Sequence, residues 1–235
     1  MLTLLMTRPR AASERFVARL DPAVRTRLRV VHSPLLEIEL SPGAGSAQGA
    51  QGVIFTSANG VDAALAAELR PSGPAYCVGA ATASAARRAG WSVNLTCDTA
   101  DALVEALSER RPPAPLLHLR GRHTRGAIAE RLGAAGIEIR AQEIYDQRLV
   151  APGDAARAAL DGPEPVIAPL FSPRTARQFA DTCAGAAPLY LAAISRAAAE
   201  PVENMVYRAL ILAKRPDAAA MAEAVETLVS QAAPG

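Results

Sequence analysis

The chain has 235 residues, a net charge of +2 and a hydrophobic fraction of 50%. That length allows one large core or two of about 100 residues each, and the near-balanced charge gives no general attraction to nucleic acid or to a membrane surface. The opening Met1-Leu-Thr-Leu-Leu-Met6 precedes Arg8 and Arg10, the reverse of the order in a secretion signal, and no run reaches the ~18 apolar residues of a membrane span, so a cytoplasmic location is expected.

Apolar runs of strand length alternate with helical patterns along almost the whole chain. A strand at 2–6 leads into a helix at 12–20, and a second strand is expected at 29–32. Strands at 52–55 and 75–78 are followed by helices at 61–68 and 82–89. A strand at 92–95 precedes a helix at 102–109, and a strand at 116–119 precedes one at 128–134. The remaining strands are expected at 137–144, 166–170, 189–192 and 207–212, with helices at 176–182 and 218–229. This alternation predicts parallel sheets covered by helices on both faces. The Gly/Ala/Ser/Gln stretch at 41–52, Pro112-Pro-Ala-Pro115 and Ala151-Pro-Gly153 are expected loops.

Several segments occur twice. Gly52-Val-Ile-Phe-Thr-Ser57 resembles Val166-Ile-Ala-Pro-Leu-Phe-Ser172, each an apolar run ending at a serine before an alanine-rich helical pattern. Leu4-Leu-Met-Thr-Arg-Pro-Arg10 echoes Leu116-Leu-His-Leu-Arg-Gly-Arg122, and Tyr76-Cys-Val-Gly-Ala80 echoes Tyr190-Leu-Ala-Ala-Ile194. The stretch at 97–107 echoes that at 215–225. The order of the copies matters, because the first strand and helix of one set stand at the N-terminus while its other units follow residue 150. The expected fold is α/β, with two similar parallel-sheet lobes of the flavodoxin or Rossmann kind, one inserted in the other. One lobe comprises 1–33 plus 150–235 and the inserted lobe 41–142. The crossings, 34–40 and 143–149, alternate apolar and polar residues (Leu36-Glu-Ile-Glu-Leu40; Ile144-Tyr-Asp-Gln-Arg-Leu149), which suits a short, exposed two-stranded β-ladder. So narrow a connection predicts lobe closure on a ligand.

The cysteines and histidines point to no metal. Cys77, Cys97 and Cys183 lie far apart, and their odd number does not suit a disulfide framework. The apolar or alanine-rich neighbours of Cys77 and Cys183 predict buried structural thiols. His32, His118 and His123 show no metal-ligand spacing with them. There is no G-x-S-x-G elbow, no phosphate-binding P-loop and no H-E-x-x-H. Cys77-Val-Gly-Ala-Ala-Thr-Ala83 lacks the spaced glycines of a dinucleotide fingerprint. No metal or nucleotide cofactor is expected.

What remains is a set of arginines and hydroxyls after predicted strands, where open α/β sheets bind ligands. Thr7, Arg8 and Arg10 follow the first strand, and Thr56, Ser57 and Asn59 the third. Arg120, Arg122 and Arg125 follow the sixth, and Ser172, Arg174 and Arg177 follow the strand at 166–170. Arginine forks and helix N-termini suit an elongated ligand with several carboxylates or phosphates. In a chain with only 4% aromatic residues, Tyr145 is singular for its place in the ladder. Its phenol could donate a hydrogen bond into a cleft, or its ring could pack on the hinge with the hydroxyl in water; the residues alone leave both open.

Taken together, these segments resemble the uroporphyrinogen-III synthases. The matching stretches are Thr7-Arg-Pro9, Ile54-Phe-Thr-Ser-Ala-Asn-Gly-Val61, Val78-Gly-Ala80, Leu119-Arg-Gly121, Glu143-Ile-Tyr145 and Phe171-Ser-Pro173. Each is short, and their joint order and spacing is what makes them specific. The resemblance implies two α/β lobes joined by a β-ladder, and a cofactor-free reaction in which the linear tetrapyrrole hydroxymethylbilane loses water, inverts ring D and closes its macrocycle. It implies Tyr145 as the catalytic residue, hydrogen-bonded to the departing hydroxyl. It further implies that the substrate carboxylates are bound by Thr7, Arg8, Arg10, Thr56, Ser57, Ala58, Asn59, Gly79, Arg120, Gly121, Ser172, Pro173 and Arg174. Where the family often has a Gly-Pro-Thr-Thr-like turn, this chain has Ser195-Arg-Ala-Ala198. The hydroxyls expected at Ala197 and Ala198 are missing, and Ser195 and Arg196 are the candidate substitutes. A two-lobe small-anion-binding module without catalysis would share the hinge and the anion contacts; a two-lobe glycosyltransferase would need longer lobes and an acidic ribose contact. Nothing in the sequence points to self-association, so a monomer acting on a small molecule, without nucleic acid or membrane partners, is expected.

Overall fold

Two runs with every residue buried, Leu2-Thr-Leu-Leu-Met6 and Val166-Ile-Ala-Pro-Leu170, lie side by side as parallel strands. Apolar side chains on both faces of a strand require cover on both sides, which is how parallel sheets are built. The computed structural model describes residues 1–41, 47–70, 73–123 and 126–232. Contacts divide the chain into two units, Met1–Glu37 with Leu149–Gly235, and Ile38–Arg148.

The first unit is built on a five-stranded sheet. Its strands are β1 (Leu2–Met6), β2 (Leu28–His32), β9 (Val166–Leu170), β10 (Leu189–Ala193) and β11 (Ala209–Leu212), in the order β11-β10-β9-β1-β2 and all parallel. Pro169 falls in a central strand, where a missing N–H costs a ladder bond. The β1–β9 register ends at Leu4↔Ile167, so Pro169 is paired only with β10, opposite Ala192. Leu2, Leu4 and Met6 pack with Phe16 of α1 (Arg10–Val17) and with Met221, Val225 and Leu228 of α10 (Ala218–Ala232). Leu5 points to the opposite layer, where Leu160 of α7 (Asp154–Asp161) and Phe179 of α8 (Pro173–Thr182) lie. Two short helices, α2 (Pro22–Arg25) and α9 (Arg196–Ala199), complete the unit.

The second unit has a six-stranded sheet made of β3 (Leu36–Leu40), β4 (Gly52–Phe55), β5 (Pro74–Val78), β6 (Ser92–Cys97), β7 (Leu116–Gly121) and β8 (Ile139–Leu149). Its order is β3-β8-β7-β4-β5-β6. Phe55, Trp91, Leu117 and Leu119 share one apolar layer with α3 (Ala58–Ala66) and α4 (Ala80–Arg88); the rings of Phe55 and Trp91 meet edge to face at 5.1 Å. Ile54 and Leu116 share the other with Leu103 and Leu107 of α5 (Ala100–Arg110) and Leu132 of α6 (Ile128–Ala134). The expected buried cysteines are so placed, and burial pushes the Cys77 thiol up to about 11.

Omitting β3, the two sheets have matching orders: β11, β10, β9, β1 and β2 correspond to β6, β5, β4, β7 and β8. The repeated segments of the sequence fall on corresponding strands, 52–57 with 166–172, 76–80 with 190–194, and 116–122 with 4–10. Two expectations need correcting. The strand at 137–144 and the ladder segment at 143–149 are one eleven-residue strand, β8, whose residues up to Tyr145 pair along β7. Val150 N–H donates to Leu35 and Ser41 N–H to Ile144, so β3 and β8 pair antiparallel as the expected two-stranded ladder, which continues past the β7 register. Tyr145, inside that register, is buried, 5% exposed. Second, α2, α7 and α9 were absent from the sequence pattern; α2 and α9 have four residues each, too few to show a period.

Candidate active site

In the second unit, β4 ends at Phe55, and Thr56 and Ser57 turn the chain into α3. Ser57 has an extended backbone, and its Oγ accepts the Gly60 N–H at 3.2 Å, the N-cap bond that a serine at this position makes. The same Oγ lies 3.0 Å from the Tyr145 hydroxyl. Ala58 and Asn59 form the first turn of α3, whose leading N–H groups lack intrahelical partners. At the end of β5, Gly79 begins α4 with φ of +84°, a conformation that favours glycine. Arg120 ends β7 folded back on its own chain, donating to the carbonyls of Gly121 at 3.1 Å and Arg122 at 3.3 Å. Gly121 packs beneath the Tyr145 ring. Ser57, Gly121 and Tyr145 are thus brought together, and Thr56, Ala58, Asn59 and Gly79 lie on neighbouring loops at the same sheet edge.

Burial raises the Tyr145 phenol above its ordinary value, against the opposing effect of side-chain hydrogen bonds from Ser57 and Gln147. The phenol is therefore neutral at physiological pH. Asp146, the next residue, faces the other way and is held low, first by the Gln147 N–H at 2.7 Å and then by Arg122 and His123 at 3.4 and 3.7 Å. Further down β7, His118 is 2% exposed; burial, aided by Arg120, pushes its pKa down to about 4. Arg125 lies outside the described residues.

The first unit presents its own edge. Thr7 follows β1 with 1% exposure, and its Oγ1 has no hydrogen-bond partner among the described residues. The Arg8 guanidinium lies 4.2 Å over the Phe171 ring, and burial, with Arg15 nearby, lowers its pKa to about 10. Ser172 caps α8, accepting the Thr175 N–H at 3.1 Å and donating to Thr175 Oγ1 at 2.9 Å; Pro173 occupies the first helical position and Arg174 is half-buried. Ser195 caps α9, accepting the Ala198 N–H at 3.3 Å. Two expected arginines stand apart. Arg10 is ion-paired with Glu14 one turn along α1 at 2.9 Å, and Arg196 is exposed. Among the described residues, no group of three or more His, Cys, Asp or Glu is arranged to hold a metal, and no helix is long and apolar enough to cross a membrane.

A family model described as uroporphyrinogen-III synthase HemD matches residues 24–223, most of the chain and parts of both units. The chain belongs to the uroporphyrinogen-III synthase family. Among solved structures, that of uroporphyrinogen-III synthetase from Helicobacter pylori 26695 superposes with a TM-score of 0.66 at 19% identity, covering 97% of this chain and 100% of that one. A mutant uroporphyrinogen III synthase from the extremely thermophilic bacterium Thermus thermophilus gives a TM-score of 0.49 at 14% identity, covering 98% and 99%. At such identities the structural likeness concerns the fold. No curated protein sequence matches significantly.

The edge of the second unit offers a neutral hydrogen-bond donor and several backbone N–H groups, and that of the first unit a desolvated cation. Two residues beside these groups were not among the expected site residues. Phe171, in the matching stretch Phe171-Ser-Pro173, carries Arg8 on its ring. Gln147 lies two residues beyond Tyr145 on a strand, hence on the same face; that period was available in the sequence.

Proposed function

We propose that this chain is a uroporphyrinogen-III synthase, a cyclising lyase that closes hydroxymethylbilane to uroporphyrinogen III without a cofactor. It acts as a cytoplasmic monomer on a small, polycarboxylate substrate. The observation that carries this reading, beside family membership, is a neutral, largely buried phenol at the carboxyl edge of a parallel sheet, bonded to Ser57.

In this reaction the pyrrole nitrogen pushes out the terminal hydroxyl, leaving an azafulvene cation, and the substituted carbon of ring D then attacks it. The intermediate is already reactive, so the protein's contribution is chiefly positional. Tyr145 donates a hydrogen bond to the departing oxygen, a task for a group protonated throughout the working pH range. Arg8, desolvated and poor in compensating charge, binds a carboxylate through its fork. Thr7, Thr56, Asn59 and the leading N–H groups of α3, α4 and α8 take the remaining acetate and propionate groups. Arg10 and Arg196, both exposed, are assigned to the outer carboxylates.

A coupled assay tests the proposal. Hydroxymethylbilane is generated in place, the protein is added, and the oxidised porphyrin isomers are separated by chromatography. A shift of the product formed from hydroxymethylbilane, from isomer I to isomer III, is the expected result; isomer I alone, from folded protein, overturns the reading.

A further inference from the structure

β8 departs from regular pairing at one point. Its register with β7 runs in step from Leu116↔Ile139 to Arg120↔Glu143, and the next pair is Gly121↔Tyr145. Regular pairing would set Ile144 opposite Gly121; one extra residue on β8 brings Tyr145 there instead. Such a bulge re-aims a side chain. Its effect is visible in the core, where the consecutive residues Ile144 and Tyr145 belong to one apolar layer rather than to opposite faces.

The space that Tyr145 enters is the side chain Gly121 lacks. A Cβ on Gly121 would lie 2.7 Å from Cε2 and Cζ of the tyrosine and 3.0 Å from its hydroxyl. These atoms belong to a rigid, buried ring, so the ring as a whole would have to move. Gly121 has no positive φ, which leaves room for the ring as the reason for glycine here. Gly60, on the other side of the ring, is less constrained: its Cβ would meet Tyr145 Cε1 at an ordinary 3.7 Å.

Two side chains meet the phenol oxygen. Ser57 Oγ is 3.0 Å away and already accepts from the Gly60 N–H, so its own hydrogen is available to donate. Gln147, on the same face of β8 as Tyr145, supplies the second hydrogen bond. We propose that Gly121, Ser57 and Gln147 are positioning residues for Tyr145: the bulge and the glycine set the ring, Ser57 and Gln147 donate to its oxygen, and its hydrogen is left pointing at the ligand. This assignment rests on the synthase reading. As the substrate C–O bond breaks, its electron pair stays on oxygen, which takes the phenol proton and leaves as water. The phenolate, held by two donors, regains the proton that the pyrrole carbon releases when the macrocycle closes.

The test is a set of kinetic double-mutant cycles in the coupled assay, with folding checked by circular dichroism. Tyr145→Phe is expected to lower kcat about 100-fold, the lower end for a lost general acid. Gly121→Ala and Gln147→Leu should each lower kcat about tenfold or more with KM within a factor of about 3, the pattern of a group needed only as the bond breaks. In the Tyr145→Phe background neither should lower it further, because each acts through the phenol proton. Gly133→Ala, at an exposed position of α6 with nothing within 4 Å of the new Cβ, should keep wild-type kcat. Should Gly121→Ala fail to fold, the Gln147→Leu cycle decides alone. Additive losses, a raised KM with unchanged kcat, or full activity in Tyr145→Phe overturn the inference while the synthase reading stands; a wild-type protein that yields only isomer I overturns both.

Discussion

Protonating His118 must cost folding free energy, and the cost can be worked out. The imidazole lies on β7 beneath Arg120, with its Nε2 buried and unpartnered among the described residues. Burial lowers its pKa from 6.5 to about 4, Arg120 adds to the shift and Glu130 opposes it. The unfolded chain then binds more protons than the folded one below pH 6.5, so stability is complete above that value and falls as the pH drops towards 4. With those two values the loss is about 1.4 kcal/mol at pH 5.5 and about 2.6 kcal/mol at pH 4.5, approaching ~3.4 kcal/mol in stronger acid. Carboxylates titrate over part of the same range, so the quantity to measure is a difference. Urea unfolding of wild type and His118→Leu, followed through the single tryptophan, Trp91, isolates it within the same unit. Wild type should lose stability relative to the variant by about 2 to 3 kcal/mol between pH 7.5 and 4.5. A difference that is flat with pH, or that grows in the other direction, would falsify the argument.

Other substitutions test separate parts of the account. Arg8→Leu should raise KM about tenfold or more by removing a charge-assisted carboxylate contact, while the thermal midpoint holds or rises because a desolvated cation has gone; steady-state kinetics and scanning calorimetry read the two effects. Ser172→Ala removes the cap of α8 and should cost about 1 kcal/mol in denaturant unfolding. Gly133→Ala, in an exposed helical position with nothing within 4 Å of the new Cβ, should stabilise by about 0.5 to 1 kcal/mol. Gly185→Ala should do the reverse, because its Cβ would lie 2.2 Å from the Leu160 carbonyl oxygen; a loss of about 3 kcal/mol or no folded protein is expected on thermal melting.

The sequence carried the architecture well because both signals it offered were redundant. Buried parallel strands such as Val166–Leu170 are unbroken apolar runs, and the duplicated strand–serine–helix units reported their own equivalence. It carried the site less well. Ser57 and Ser172 could be seen as caps from their place after a strand, but a cap spends its oxygen on the helix, and only geometry reveals that Ser57 Oγ also meets Tyr145. The alternating pattern of Ile144-Tyr-Asp-Gln-Arg-Leu149 suggested an exposed ribbon, since periodicity cannot register the extra residue that turns Tyr145 inward. Arg10 looked equivalent to Arg8, yet Glu14 one helical turn later claims it, whereas Arg8 lies over the face of Phe171.

The interleaved chain order also has a consequence for how the protein is made. Ile38–Arg148 is a continuous stretch, and every strand of its sheet but the first residues of β3 and the last of β8 is available once that stretch has been synthesised. β1 is less fortunate: Thr3 waits for Val166 to supply its second neighbour. Until then β1 and β2 form a two-stranded fragment with an open, apolar edge, too small to be stable alone. During synthesis, then, the internal unit should mature first, and the N-terminal strands should be the nascent chain's exposed segment and the natural target of a chaperone.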